Sequence, residues 1–426
     1  SGNIRLDDDS PYIDLIGRIG ESEIENLPAF LPLQTHSRFM TWAPNALLGG
    51  QLTSGDLVFR GKANAFPFRD DQGTFKALLN IADATINYEE GWPYVDKLTA
   101  EVIMDNDDIS ITASSGYVFD AHIDRVSAHI HDISRGEQHI TIDGDLSGHT
   151  SNLPLFIMQS PLKENPDLYD FAQMHIAGNF ELGIKLDVPL GDGLTAVDGS
   201  IRFTNTMFES NMPGLGLTNM NGEIKFSRDA AWGENISALY HGNPVSITIP
   251  FDDEDDGRST FVVNGEADKV FIIQQLGSFF PELLNQKHSF FDYFQGGSNW
   301  SVSIESYRDE SDQQYRDILI ESPLRGIEIM LPEPVGKNAT ATRSLMVKAN
   351  MAGSRINKID FEYDDQVFTN MYVDNSEDFK INRIEVDLGK DYAPDTALDA
   401  DIVIRGELQE LDLGDWFEFF NNESTA

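Results

Sequence analysis

The sequence predicts a mainly β protein, in which a long, twisted antiparallel sheet curls into an open groove of repeated modules, with short helices at the module boundaries. Three observations predict this fold class. Apolar and polar residues alternate with a period of two over most of the chain. Turn-forming sequences separate the alternating segments at intervals of roughly ten to fifteen residues, as in an antiparallel meander. A unit of strand, glycine, acidic residue and short helix occurs four times.

The repeated unit is clearest in residues 139–161, HITIDGDLSGHTSNLPLFIMQSP. Its strand is expected to end at Gly144, and an amphipathic helix follows. Similar units occupy residues 12–33, 261–284 and 402–420, with glycines at Gly17, Gly265 and Gly406. Large modules that extend one sheet explain such a repeat. The alternative is that a strand followed by a glycine and a helix is common in any β protein and does not indicate a repeat.

The repeat divides the chain into a tail of a preceding module and three β-groove modules. The tail is 1–35, and the modules are 36–165, 166–290 and 291–426. Residues 36–50 of the first module are expected to be helical. Within the modules, strands as long as 73–88 and 117–131 favour a strongly twisted, curling sheet over a closed barrel.

Predicted strands follow one another through each module. In the first they are 56–68, 73–88, 98–104, 109–114 and 117–131, with DNDD (105–108) as a hairpin turn. In the second they are 175–188, 197–208, 221–227, 234–240 and 245–251. In the third they are 294–304, 316–337, 344–352, 356–373, 379–389 and 398–408.

Composition excludes several classes of function. The 426 residues contain 71 acidic and 30 basic side chains, and the net charge of −41 repels phosphate backbones, so a nucleic-acid partner is not expected. Without cysteine, the chain has no disulfide, thiolate metal site or cysteine nucleophile. No apolar run is long enough to span a bilayer. Ser1 and Gly2 resemble a protease scar, and the chain is interpreted as a middle fragment of a longer protein.

An antiparallel sheet usually buries one apolar face, and the predicted helices are too few and short to cover every strand here. The sequence therefore predicts that the apolar face is left open as a groove for lipid acyl chains. The residues predicted to line it are Val102, Met104, Ile140, Ile142, Ile201, Phe203, Ile224, Phe226, Ile247, Ile249, Phe261, Val263, Val302, Ile304, Ile327, Ile329, Ile402 and Ile404.

Several segments resemble the YhdP family of AsmA-like envelope proteins. The most specific is SPLRGIEIMLPEPVGK (322–337), which follows GGSNW (296–300). Further similarity lies in GWPYVDKL (91–98), in DLIGRIGESEIENLPAFLP (14–32) and in TWAPNALLGGQ (41–51). The resemblance implies a periplasmic part of an inner-membrane-anchored protein whose repeating β-groove moves phospholipid towards the outer membrane. Its implied partners are phospholipid acyl chains, the remaining modules of the full-length protein, and the inner membrane through a segment absent here.

The sequence supports a metal or catalytic site less strongly than it supports a lipid groove. His129 and His131 share a strand face, with His122 nearby, and could bind zinc, but solvent-facing histidines on an acidic sheet are the favoured interpretation. DDEDDG (252–257) resembles the start of a calcium loop, yet Val263 stands where the bidentate glutamate belongs. Loose calcium binding by Asp252, Glu254 and Asp256 stays an alternative. No motif of a nucleophilic or nucleotide-binding site occurs, so no cofactor, metal or catalytic residue is predicted.

Two other functions remain open from the sequence. A structural or adhesive β-rich envelope protein would have a closed, filled core and no bound lipid. A hydrolase of envelope polysaccharide would have a polar cleft with two carboxylates at catalytic separation.

Overall fold

The computed structural model describes residues 1–6, 10–30, 44–68, 72–131, 139–189, 193–209, 216–228, 230–252, 258–272, 290–309, 311, 313–353, 355–374, 380–390, 401–407 and 412–423. Its contacts form two compact units. The first is Ser1–Asn211 with Asn219–Ala231, and the second is Met212–Thr218 with Trp232–Ala426. This division falls inside the predicted module 166–290, and the module bounds, which rest on the repeat, remain a prediction.

The first unit is an antiparallel sheet in which strands adjacent in sequence pair with each other. Its strands are β1 (Gly2–Arg5), β2 (Tyr12–Ile19), β3 (Ser22–Glu23), β4 (Leu47–Lys62), β5 (Gly73–Ile86), β6 (Val95–Asp105), β7 (Asp108–Val118), β8 (Ala121–Ile130), β9 (His139–His149), β10 (His175–Pro189), β11 (Ala196–Glu209) and most of β12 (Gly216–Ser227). β4 pairs along one side with β2 and then β3, and along the other with β5. Pairing then continues strand by strand from β5 to β11.

The second unit is also a sheet, with one parallel pair. Its strands are β13 (Ala231–Tyr240), β14 (Asn243–Ile249), β15 (Ser259–Asp268), β16 (Phe294–Arg308), β17 (Gln314–Ser322), β18 (Ile327–Ile329), β19 (Leu345–Ala352), β20 (Arg355–Tyr363), β21 (Val367–Asp374), β22 (Lys380–Leu388) and β23 (Ile402–Gly406). The pairing is antiparallel, as predicted, except at β23, which runs parallel to β22. The chain between Leu388 and Ile402 is long enough for the crossover that a parallel pair requires.

Helices are short, as predicted, and they connect or follow strands; their placement at module boundaries remains a prediction. α1 (Asn152–Met158), a 3-10 helix (Pro161–Glu164) and α2 (Pro166–Ala172) connect the paired strands β9 and β10, and α3 (Leu413–Glu423) follows β23. Further 3-10 helices are Ile24–Phe30, Ala63–Ala65 and Phe290–Tyr293. Across the described residues, helices are neither long nor apolar enough to cross a membrane. The mainly β prediction is confirmed, and among the described strands no pairing closes a sheet into a barrel.

Each repeated unit contains the expected strand followed by a helical segment. However, the strand ends at its glycine only in β23, at Gly406. Gly17, Gly144 and Gly265 lie inside β2, β9 and β15. These glycines sit opposite larger apolar side chains, so they provide space within the sheet and do not terminate the strand.

Gly265 lies under the indole ring of Trp300 on the neighbouring strand. A Cβ atom at position 265 would lie 2.8 Å from Trp300 Cζ2, which is closer than side-chain carbons pack. We expect Gly265→Ala to lower the free energy of unfolding by about 1–3 kcal/mol, because overpacking forces the ring to shift. Urea denaturation measures the change. Gly49→Ala in β4 is the control, since nothing lies within 4 Å of its Cβ position, and an equal loss in both variants would contradict this packing.

The predicted strand 117–131 is wrong, because the chain turns within it. β7 ends at Val118 and β8 begins at Ala121. The turn places Phe119 at a φ of 54°, a region that favours glycine or asparagine. The sequence YVFDAH contains neither, so the usual turn signal is missing. The predicted turn at 105–108 is confirmed, with Asn106 at a φ of 56° between β6 and β7.

Candidate functional site

One face of the first sheet is apolar from strand to strand. Directly opposed residues of paired strands share a face, so the register shows which side chains lie together. One row across β4–β11 is Gly55, Leu79, Val102, Ile111, Ala128, Ile142, Leu186 and Val197. A parallel row across β4–β10 is Leu57, Ala77, Met104, Ile109, Ile130, Ile140 and Val188. Eight strands at a spacing of about 4.8 Å make the longer row about 34 Å long.

The second sheet carries equivalent rows. One, across β14–β23, is Ile247, Val263, Val302, Ile320, Val347, Phe361, Thr369, Val386 and Ile404. The next, across β15–β23, is Phe261, Ile304, Ile318, Ala349, Ile359, Met371, Ile384 and Ile402. We call the surface formed by these rows the apolar face of each unit. Thr369 is the one polar side chain in these two rows.

The opposite face of the first sheet is charged. Its ion pairs include Arg18–Asp56, Arg60–Asp14, Lys76–Asp105, Arg125 with Asp143 and Asp145, and Arg202 with Glu181. His139 also contacts Asp187 on this face. All of these side chains are solvent exposed, so the contacts add little to stability. These charged side chains keep this face hydrated.

The apolar face is covered at one part of the first unit and accessible at another. Near β4–β6 it is buried in a cluster with Ile24 and Leu27 of the first 3-10 helix and with Phe68 of the loop after β4. Val102 and Met104 belong to this buried cluster. Ile140, Ile142, Ile201, Ile224 and Phe226, on β9, β11 and β12, are only half-buried. In the β9–β12 part these five side chains are thus partly accessible, whereas Phe203 is 5% exposed.

The structure brings most of the predicted lining residues onto these faces. Phe203 and Ile201 oppose Phe180 and Leu182 of β10. Phe226 lies against Gly199 of β11, and Ile224 is two residues earlier on the same strand. Ile249 is two residues beyond Ile247 on β14. In the second unit, Phe261, Ile402 and Ile404 are exposed, with Ile404 68% exposed. Whether these residues line a lipid path remains a proposal.

Ile327 and Ile329 are buried, as Phe203 and Ile247 are, but in a core to which neither of those two belongs. Both lie in β18, which pairs with the first residues of β16, and they are 3% and 4% exposed. They form a core with Leu324 and Tyr363. Residues 323–344, which we call the cap segment, thus fold over the end of the apolar face. Since these two isoleucines are interior to the cap segment, they are placed in its core and not along the accessible surface.

A buried lysine holds the cap segment together. Lys337 donates hydrogen bonds to the backbone carbonyls of Leu324, Ile327 and Asn338. Burial, and to a lesser degree the nearby Arg343 guanidinium, lowers the pKa of Lys337. The Tyr363 hydroxyl donates to Val335 O at 2.7 Å, and Trp416 Nε1 of α3 donates to Glu333 O at 2.9 Å. The sequence 322–337, the most specific part of the family resemblance, is therefore a packing element, a role that its local pattern did not reveal.

The first unit also has a concave pocket of about 1230 Å³ near the start of β6. Its lining combines aromatic and acidic side chains and includes Tyr88, Glu89, Glu90, Trp92, Tyr94 and Asp96. Trp92 contacts Phe156 of α1, with ring centroids 5.7 Å apart. The pocket is more polar than the apolar face, and Gln159, which directly follows α1, also lines it.

The raised pKa of Tyr88 in this pocket predicts that stability depends on pH in the alkaline range. Burial, and then Glu89, raise the pKa of Tyr88 from 10.0 to about 12. The unfolded chain therefore ionises first, so the stability that Tyr88 contributes is complete below pH 10.0 and is lost as pH rises towards 12. We expect the urea midpoint to fall over this window, and to fall less in Tyr88→Phe. Tyr94→Phe removes an exposed hydroxyl of the same loop and is the control; if both variants behave alike, this assignment is wrong.

Glu254 and Asp256, two ligands of the alternative calcium site, lie outside the described residues, as does most of the predicted helical patch 36–50.

Comparisons with known proteins bear on the site. The family model described as YhdP protein matches residues 1–426. The chain is similar to "Intermembrane phospholipid transporter YhdP" of Escherichia coli (strain K12), with 19% identity over 343 residues. The match covers 80% of this chain and 26% of that relative, so the chain spans about a quarter of the relative's length. No solved structure matches the chain.

Proposed function

The chain belongs to the YhdP family, and from that premise we propose that its apolar faces shield the acyl chains of phospholipids that move between the inner and outer membranes. The observation that supports this most directly is the continuity of the apolar rows, whose side chains on β9–β11, such as Ile142, Leu186 and Val197, are half-buried, while charged side chains occupy the other face. A structural sheet with a filled core would not leave these rows accessible.

The energetics favour a surface of this kind. Each methylene moved from water to an apolar surface gains about 0.8 kcal/mol, so a palmitate-length chain requires about 12 kcal/mol of compensating contact outside the bilayer. A deep pocket would supply that contact at one place and hold the lipid there. Rows of similar side chains, repeated from strand to strand at about 4.8 Å, supply nearly equal contact at each step and let an acyl chain slide.

The remaining parts of the proposal concern the whole protein. We infer that the chain acts in the periplasm, that further modules of a longer protein continue the apolar face, and that a membrane segment outside this chain anchors it in the inner membrane. The relative's name, intermembrane phospholipid transporter, and its greater length support this inference. We propose that the protein transports phospholipid and catalyses no reaction.

Lipid extraction tests the proposal. We expect organic extracts of the chain purified from bacterial cells to contain phospholipid, and the protein stripped of lipid to take up fluorescent phospholipid from vesicles. An extract that contains no phospholipid, together with no uptake of phospholipid from vesicles, would favour the structural or adhesive alternative. The second measurement is needed because lipid can be lost during purification.

A further inference from the structure

The charged face of the first sheet brings together three side chains with metal-binding atoms. They are Asp108, the first residue of β7, His129 of β8, and His131, which follows β8 directly. One ligand atom from each lies within 4.8 Å of the other two. We propose that this triad binds one divalent transition metal ion of the zinc class.

The strand register explains why the three residues meet. Ile109 of β7 is opposite Ile130 of β8 on the apolar face. The residues on either side of this pair point to the charged face because side chains alternate along a strand. His129 and His131 therefore share that face, and Asp108 comes from the adjacent strand.

The geometry of the triad suits one small ion. His131 Nδ1 lies 3.3 Å from Asp108 Oδ1. The ring centroids of His129 and His131 are 3.8 Å apart, and the angle between the ring planes is 71°. Ligands bound at about 2.0–2.2 Å in a tetrahedral site are themselves separated by about 3.3–3.6 Å, so small side-chain rotations close the triad around an ion. Water completes the coordination on the solvent side.

The donor set indicates the class of metal. Two imidazoles and one carboxylate match zinc and its neighbours in the transition series, whereas calcium and magnesium prefer oxygen ligands alone. The net charge of −41 raises the local concentration of any cation at this surface. A bound metal ion would link β7 to β8 on the charged face. Because lipid is proposed to lie on the opposite, apolar face, metal binding would not depend on lipid.

Two other histidines of the same sheet provide matched controls. His122 is paired with Asp124 at 2.8 Å, and His139 with Asp187 at 2.7 Å. Each has one carboxylate neighbour, and neither is part of the triad. All of these side chains are solvent accessible, so their substitution is compatible with folding.

Titration of the EDTA-treated chain with zinc, by competition with a chromophoric chelator, tests the proposal. We expect one tight site, weakened at least about tenfold by His129→Ala, His131→Ala or Asp108→Asn, and unchanged in His122→Ala and His139→Ala. Zinc should raise the Tm of the wild type and not that of His129→Ala. Equal loss of affinity in all five variants, or calcium binding as tight as zinc, would show only diffuse attraction of cations to an acidic surface and would overturn the site.

Discussion

Ile201→Asp is expected to reduce the phospholipid bound per mole of protein by at least about tenfold, since an unpaired carboxylate against an acyl chain costs several kcal/mol and each 1.4 kcal/mol is tenfold in affinity. Ile201 is half-buried on the apolar face of β11, opposite Leu182. Mass spectrometry of extracted lipid, normalised to protein, measures the loss.

Ser200→Asp is the matched control for this prediction. Ser200 is the preceding residue of the same strand, and it lies opposite Gly183 on the charged face. The same change there adds the same charge without entering the apolar face, so lipid content should be retained. Circular dichroism establishes that both variants are folded. Equal lipid in the two variants would show that this face does not contact the acyl chain.

Arg405→Met is expected to lower the free energy of unfolding by about 3–5 kcal/mol, because it leaves buried carboxylates without one of their cations. Glu385 and Asp387 of β22 are 1% and 0% exposed. Arg405 of β23 donates from Nε to Asp387 Oδ1 at 2.6 Å and from Nη2 to Glu385 Oε2 at 3.2 Å. Arg383 reaches the other oxygen of Glu385 at 2.7 Å.

Arg60→Met provides the comparison for the buried network. Arg60 pairs with Asp14 at 2.9 Å, but both side chains are about half exposed, so its loss should cost only about 0–1 kcal/mol. Urea denaturation of the two variants measures the difference. If Arg405→Met were no more destabilising than Arg60→Met, the carboxylates of β22 would have to be hydrated in solution.

The strands and their two faces could be predicted because the period-two pattern is local. Ile140 and Ile142, for example, indicate both a strand and the face that they share. The pairing of Ile142 with Ala128 and Leu186 follows once the strands are arranged as a meander. Consequently Ile140 and Ile142 can be assigned to one face from the sequence, whereas Leu186 and Val197 of the same row are not among the predicted residues.

Features that depend on distant residues could not be predicted. The parallel approach of β23 to β22 is set by a crossover and not by the strand sequence. Gly144 looked like a strand end, because the sequence does not show that Val126 and Ile184 flank it in space. The histidine spacing suggested His122 as a third ligand, whereas the register supplies Asp108 from another strand. The cap segment resembled a strand with lining residues, although the contacts of Lys337 fold it into a core.

Site-specific photocrosslinking in living cells tests most directly whether lipid lies on the apolar face. A photoreactive phenylalanine analogue would replace Leu186, which lies between Ile142 and Val197, or the adjacent Lys185 on the exposed, charged face. We expect phospholipid adducts, detected by mass spectrometry, at position 186 and not at 185. Adducts at neither position, or equally at both, would contradict this expectation.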